Sequence, residues 1–152
     1  MKTAIVTALK NTFSGTPWYG ESFWSVIASL ESHDLNKTTP SGKSIGHVLN
    51  HILAWRTYAL EQLSGNKDYY LEVGSIQDWD ITKNFDSDSC HILLTAIKNN
   101  QEKLIQAISS LPEQHLKHKV PGKKYTFYDL ILGIRDHDIY HLGQISLIKN
   151  NL

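Results

Sequence analysis

Apolar residues recur along most of this chain at intervals of three and four, the rhythm of one buried face of an α-helix. Ala4, Ile5, Ala8, Leu9 and Phe13 mark a first helix, which Gly15 and Pro17 stop. Phe23, Ile27 and Leu30 resume the spacing between Ser22 and Leu30, a short second piece of the same leg, and a polar loop through Pro40 and Gly42 follows. Ser44 is placed to cap a helix with core positions Ile45, Val48, Ile52, Trp55 and Ala59, ending near Ser64 and Gly65. From about Ser89 onward, Leu93, Ile97, Leu104, Ile108 and Leu111 trace a third long helix that closes before Pro112. A turn at Pro121 and Gly122 leads into the last helix, from about Thr126 to Lys149. Residues 66 to 88 keep no period and carry Gly74, several aspartates, Trp79 and Phe85, so they read as a long crossover loop, and such loops usually have a job. Strand-like alternation is confined to an extended stretch at His118 to Tyr125. The pattern predicts an all-α fold, a four-helix bundle with one long crossover loop, in a single domain over residues 1–152.

Composition acts mainly by exclusion. A chain of 152 residues can bury a core without a disulfide or metal staple. Fifteen basic and fifteen acidic residues cancel, and no run of like charge exceeds Lys123 and Lys124, so there is no electrostatic footprint for nucleic acid or an anionic membrane. The single cysteine, Cys90, leaves no internal disulfide and fits a reducing compartment, and any metal held within one chain must take nitrogen and oxygen ligands. Cys90 stands at a helix start, where thiols acidify, but no base is evident beside it. No window approaches 18 apolar residues and the opening MKTAIVTALKNTFSG lacks the apolar core of a signal peptide, so a soluble, cytoplasmic protein is expected. Neither a Gly-rich phosphate loop nor a Gly-x-Ser-x-Gly elbow occurs.

The candidate chemistry lies in the last helix. Leu130, Ile134, His137, His141, Ile145 and Ile148 form one stripe, with two imidazoles where leucines would be expected. Residues four apart on a helix are neighbours, roughly 5–6 Å between Cβ atoms, so both rings can reach one ion. Burying them unpartnered would cost roughly 1–3 kcal/mol each, and a divalent metal is the simplest partner. A core histidine bonded to a neighbour is the competing reading, since pairs at this spacing also arise by chance among eight histidines. His51 on the second long helix supplies the third ligand, being on the flank of the Val48, Ile52 and Trp55 face; His47 turns further toward solvent. Three imidazoles leave coordination positions open, the mark of catalytic rather than structural zinc sites. The zincin order His-Glu-x-x-His is absent, because Asp138 follows His137.

The run HDIYHLGQISLIK, together with SIGHVLNHILAW, resembles the motifs of the DinB/YfiT-like superfamily, and His51 is the positional match in the second. The stretches Pro17-Trp18-Tyr19-Gly20 and Pro40-Ser41-Gly42 extend the likeness over nearly the whole chain. The resemblance implies a site of His51, His137 and His141 for one divalent metal ion, Zn, Ni or similar, and a homodimer. It also implies a small-molecule substrate, with a low-molecular-weight thiol as partner in members that act as S-transferases; the charge balance and hydropathy already predict no nucleic-acid or membrane partner. The reaction is then a metal-dependent thiol transfer or hydrolysis, with a non-catalytic metal-binding or interaction bundle as the alternative. His47 departs from the family, standing where Glu is common; it is read as surface or as support for the site. Asn100 and Gln144 are candidates to orient the ligand rings, Gly143 to permit a tight helix crossing, and Tyr140, Tyr58 and Trp55 to pack the core or, as the second reading, to line a substrate mouth. Asp136 and Asp138 are expected in solvent or at a dimer face, and His33, His91, His115 and His118 in solvent.

Overall fold

The computed structural model describes residues 1–39 and 41–151, with Asn151 described by its backbone alone. Among the described residues six α-helices follow one another: α1 Lys2–Ser14, α2 Phe23–Ile27, α3 Ser32–Leu35, α4 Ile45–Leu63, α5 Ser87–Ser110 and α6 Phe127–Asn151. A 3₁₀ turn, Glu113–Lys117, follows α5. The all-α expectation holds, with no strand among the described residues beyond isolated bridges at Thr38–Ser44 and Lys119–Thr126. The second bridge falls on the stretch read as extended. The long helices touch in a ring: α1 meets α5, α5 meets α4, α4 meets α6 and α6 meets α1.

Helix starts obey local chemistry. Ser44 accepts the His47 N–H, and His47 Nδ1 accepts the Ser44 N–H, so a histidine closes the capping box in which Glu usually stands. Asp86 caps α5 reciprocally with Ser89, which moves that helix start ahead of Ser89. The loop expected after Leu30 instead contains α3, capped by Glu31 and Asp34. Pro40, part of the loop motif quoted above, lies outside the described residues.

Two apolar clusters fill the ring. One gathers Phe13, Ile45, Leu49, Ile52, Ile97 and Ile145; the other gathers Leu9, Ala59, Leu63, Leu104, Ile108 and Ile131. Between them, at matching heights on three helices, lie Arg56, Asn100, Gln101 and Asp138, all buried. Arg56 donates to both Asp138 oxygens (2.8 and 3.2 Å), to Gln101 Oε1 (2.9 Å) and to Asn100 Oδ1 (3.4 Å). Asp138 is 1% exposed, which corrects its expected solvent position. Asn100 therefore serves Arg56 and not a histidine ring. Asp136 is exposed, as expected.

The crossover from 66 to 86 carries no helix but is pinned at several points. Leu71 and Phe85 are buried, His47 Nε2 donates to the Lys83 carbonyl (2.8 Å), and the Asn36 amide exchanges bonds with the Phe85 backbone (2.8 and 3.1 Å). A Cβ on Gly46 would stand 2.3 Å from the Phe85 ring, so glycine is what lets the loop end seat against α4. That close approach belongs to Gly46; Gly143 is exposed and an added Cβ there meets nothing within 4 Å. His47 is likewise buried rather than on the surface.

Candidate metal centre

His51 projects from α4 and His137 and His141 from successive turns of α6, and the contact between these helices brings the three rings together. His137 Nε2 lies 3.0 Å from His51 Nε2 and 3.1 Å from His141 Nε2. The rings stand at steep angles, 48° between His51 and His137 and 74° between His137 and His141, so their edges rather than their faces converge. All three candidate ligands are thus brought to one point.

The far edges of two rings fix which nitrogen carries the proton. Asp78 Oδ1 accepts from the His51 Nδ1–H (2.5 Å) and from the Trp55 indole N–H (2.8 Å), while Oδ2 accepts from the Gly74 N–H (2.7 Å). His141 Nδ1–H donates to Gln144 Oε1 (2.7 Å), which bears out the orienting role expected of Gln144. With their protons on Nδ1, His51 and His141 each aim an Nε2 lone pair at His137. One N–H on His137 Nε2 cannot serve both, and its Nδ1 is buried without a hydrogen-bond partner among the described residues. Burial holds all three imidazoles below their ordinary range, His137 down to about 3, where the neighbouring His141 and His51 rings add to the effect. Asp78 partly opposes the shift at His51, and the Gln144 bond partly opposes it at His141. The rings are therefore neutral at neutral pH and present lone pairs, the form that binds metal.

Such a donor set fits a divalent ion. Nitrogens that share one ion with bonds of about 2.0–2.1 Å must stand roughly 3 Å apart, as His137 Nε2 does from each of the other two. Among the described residues, His51, His137 and His141 form the group that could hold one, and their nitrogens lie within 4.8 Å of one another. His47 does not join them, because both of its ring nitrogens are engaged elsewhere. The remaining histidines are remote from the cluster: His33, His91 and His118 are exposed as expected, and His115 is half-buried with its ring 4.7 Å from Phe127.

The surroundings were less legible in sequence. Asp78, buried in the crossover, orients His51, and only its place in an unusually long aspartate- and aromatic-bearing loop hinted at a role. Trp79, from the same loop, stacks on His51 at 3.9 Å between centroids, and Lys43 brings its ammonium 3.7 Å from the Trp79 ring centre. His141 opens on a cavity of about 380 Å³ lined also by Lys43, Trp79, Tyr140 and Gln144. His137 opens on another of about 310 Å³, lined also by Trp55, Tyr58 and Tyr125. Tyr58 is buried as expected of a core aromatic, but Tyr140 is 65% exposed and stands at a cavity mouth, correcting its core assignment. Cys90 is buried with its Sγ 3.6 Å from the Leu30 carbonyl oxygen, and burial and the charges of Asp34 and Glu31 push its thiol up, so the helix start does not acidify it.

A family model described as the DinB superfamily matches residues 20–145, a span that contains all three histidines. No curated protein and no solved structure matches the chain. No helix among the described residues is long and apolar enough to cross a membrane.

Proposed function

We propose a metal-dependent enzyme activity for this chain, which belongs to the DinB superfamily. His51, His137 and His141 would hold one divalent ion, Zn²⁺, Ni²⁺ or similar, and the reaction would be thiol transfer or hydrolysis on a small molecule. The observation that carries the reading is the meeting of three Nε2 atoms at 3.0 and 3.1 Å, two of them fixed as lone-pair donors by Asp78 and Gln144. A single His137 Nε2–H can serve only one of the two lone pairs aimed at it, so the other faces it without a proton, an arrangement that costs free energy unless a cation lies between the rings.

When bound, the ion would supply Lewis acidity and lower the pKa of a thiol or water. The protein's part is to hold the rings. Asp78 and Gln144 keep the first and third imidazoles in the metal-binding tautomer, and the Trp79 face stacked on His51 restricts rotation of that ring. Trp79 also shields the site from one side, while the cavities beside His141 and His137 leave room for reactants. Lys43, in the first cavity, offers a cation to an anionic group on a substrate or thiol.

Metal content of tag-free protein, purified without metal-charged resin, tests the reading. About one ion per chain is expected for the parent, and loss of it in both His51→Ala and His137→Ala. Absence of metal after reconstitution with Zn²⁺, Ni²⁺ or Mn²⁺ would overturn it.

A further inference from the structure

The cavity beside His137 has a character of its own. Its walls are Trp55 and Tyr58 of α4, Leu130, Gly133 and Ile134 of α6, and Tyr125 from the turn before α6. The Trp55 and Tyr58 rings meet edge to face, 5.6 Å apart at 70°, and Trp55 is held by Asp78, the same residue that orients His51. Apolar and aromatic walls with a few polar groups at set points are the usual makeup of a small-molecule pocket, and about 310 Å³ is within the usual size; this one is a groove open to solvent on one side.

Two details favour a ligand. Gly133 lies in the interior of α6, where glycine is disfavoured relative to alanine, yet a Cβ there would meet nothing within 4 Å. Packing of this chain does not require the glycine; a clear opening into the cavity does. The Tyr58 and Tyr125 hydroxyls are 3.1 Å apart, and of their two phenolic protons one bridges the pair while the other is left to donate. At the rim, Asp129 Oδ2 accepts the Thr126 N–H (2.9 Å) and O–H (2.7 Å).

We propose that this cavity binds an aromatic ring bearing a hydrogen-bond acceptor, such as a carbonyl, and presents it beside the histidine cluster, the acceptor resting on the Tyr58 and Tyr125 hydroxyls. The proposal names the substrate class for the metal-dependent reading and rests on it for the adjacent chemistry, but the pocket is testable without turnover.

The test is binding of acetophenone and of ethylbenzene, which has the same ring without the acceptor, by saturation-transfer NMR on the metal-reconstituted protein. The parent is expected to prefer acetophenone by about three- to tenfold, the contribution of one hydrogen bond. Gly133→Leu, whose side chain grows into the opening, should weaken both probes at least about tenfold while leaving the metal content unchanged and the melting temperature unchanged or raised. Tyr58→Phe/Tyr125→Phe should abolish the preference and retain the ring, which keeps the proposal falsifiable if the first variant folds poorly. Absence of saturable binding in the parent, unchanged binding in Gly133→Leu, or equal affinity for the two probes would overturn it. So would a Gly133→Leu change in sedimentation mass with probe binding intact, which would assign the opening to a second copy of the chain. Probe and metal are read separately: metal without probe refutes the pocket alone, and probe without metal refutes the metal centre alone.

Discussion

Replacing Asp78 should separate the orientation of a ligand from the integrity of the fold. Its two oxygens take three N–H groups, from His51, Trp55 and Gly74, in a buried site. Asparagine has one oxygen. If it keeps the His51 and Trp55 bonds, its NH₂ faces the Gly74 N–H; if it turns over, it faces the other two donors. Either way a donor loses its acceptor, at about 1–3 kcal/mol of stability. Alanine frees all three, and His51 can then rotate or shift its proton, so that Nε2 ceases to be a committed lone pair. Loss of such an orienting partner typically weakens metal binding by about 10–100-fold, or about 1.4–2.7 kcal/mol. Asp78→Asn is expected at the low end and Asp78→Ala at the high end, measured for Zn²⁺ by competition with a chromogenic chelator, with urea unfolding of the metal-free protein alongside. Asn36→Ala is the control: Asn36 pins the same loop at Phe85 but touches no histidine. It should lower stability and leave affinity within about twofold. If Asp78→Ala lowers stability but also leaves affinity within that margin, Asp78 is only a loop anchor and the tautomer argument fails.

Two further outcomes follow from the same structure. Asp138→Leu alone strands the Arg56 guanidinium in the core and should cost about 3–5 kcal/mol, whereas Arg56→Met/Asp138→Leu should recover most of that loss in urea unfolding of metal-free protein; a double variant as unstable as the single one would refute the account of this pair. Because burial and nearby acidic groups raise the Cys90 thiol, its thiolate fraction at a given pH is smaller than in the unfolded chain, so iodoacetamide should label native protein more slowly, with a pH profile displaced upward; equal profiles in native and urea-unfolded protein would contradict it.

Periodicity located the long helices because each must bury a continuous face, and that requirement is written locally at three- and four-residue spacing. The His137 and His141 pair was legible for the same reason, being four apart on one helix. Asp138 was misplaced because the buried arc of α6 is wider than a single stripe: Ile131, Asp138 and Leu142 are all buried beside the line through His137 and His141. The signal available was Arg56 in the stripe of Ile45, Leu49, Ile52, Ala59 and Leu63, a charge that needed an opposite one at the same height. His47 was read as a departure from the motif, yet it fills the capping position where a Glu would serve, a role set by its distance from Ser44.

By itself the sequence determined what depends on neighbours along the chain: the long helices, the Ser44 cap, the neutral charge balance and the two-histidine half of the site. Tertiary structure decided what depends on residues distant in the chain. It set the register of α4 against α6 that brings His51 to His137, the seating of the crossover through Gly46 and Phe85, and the arrival of Asp78 behind His51. The physical reason is that hydrophobic patterning specifies which face a helix buries, whereas a polar contact of 2.5–3.1 Å requires two elements to be placed to a fraction of an ångström, and only the packed whole does that.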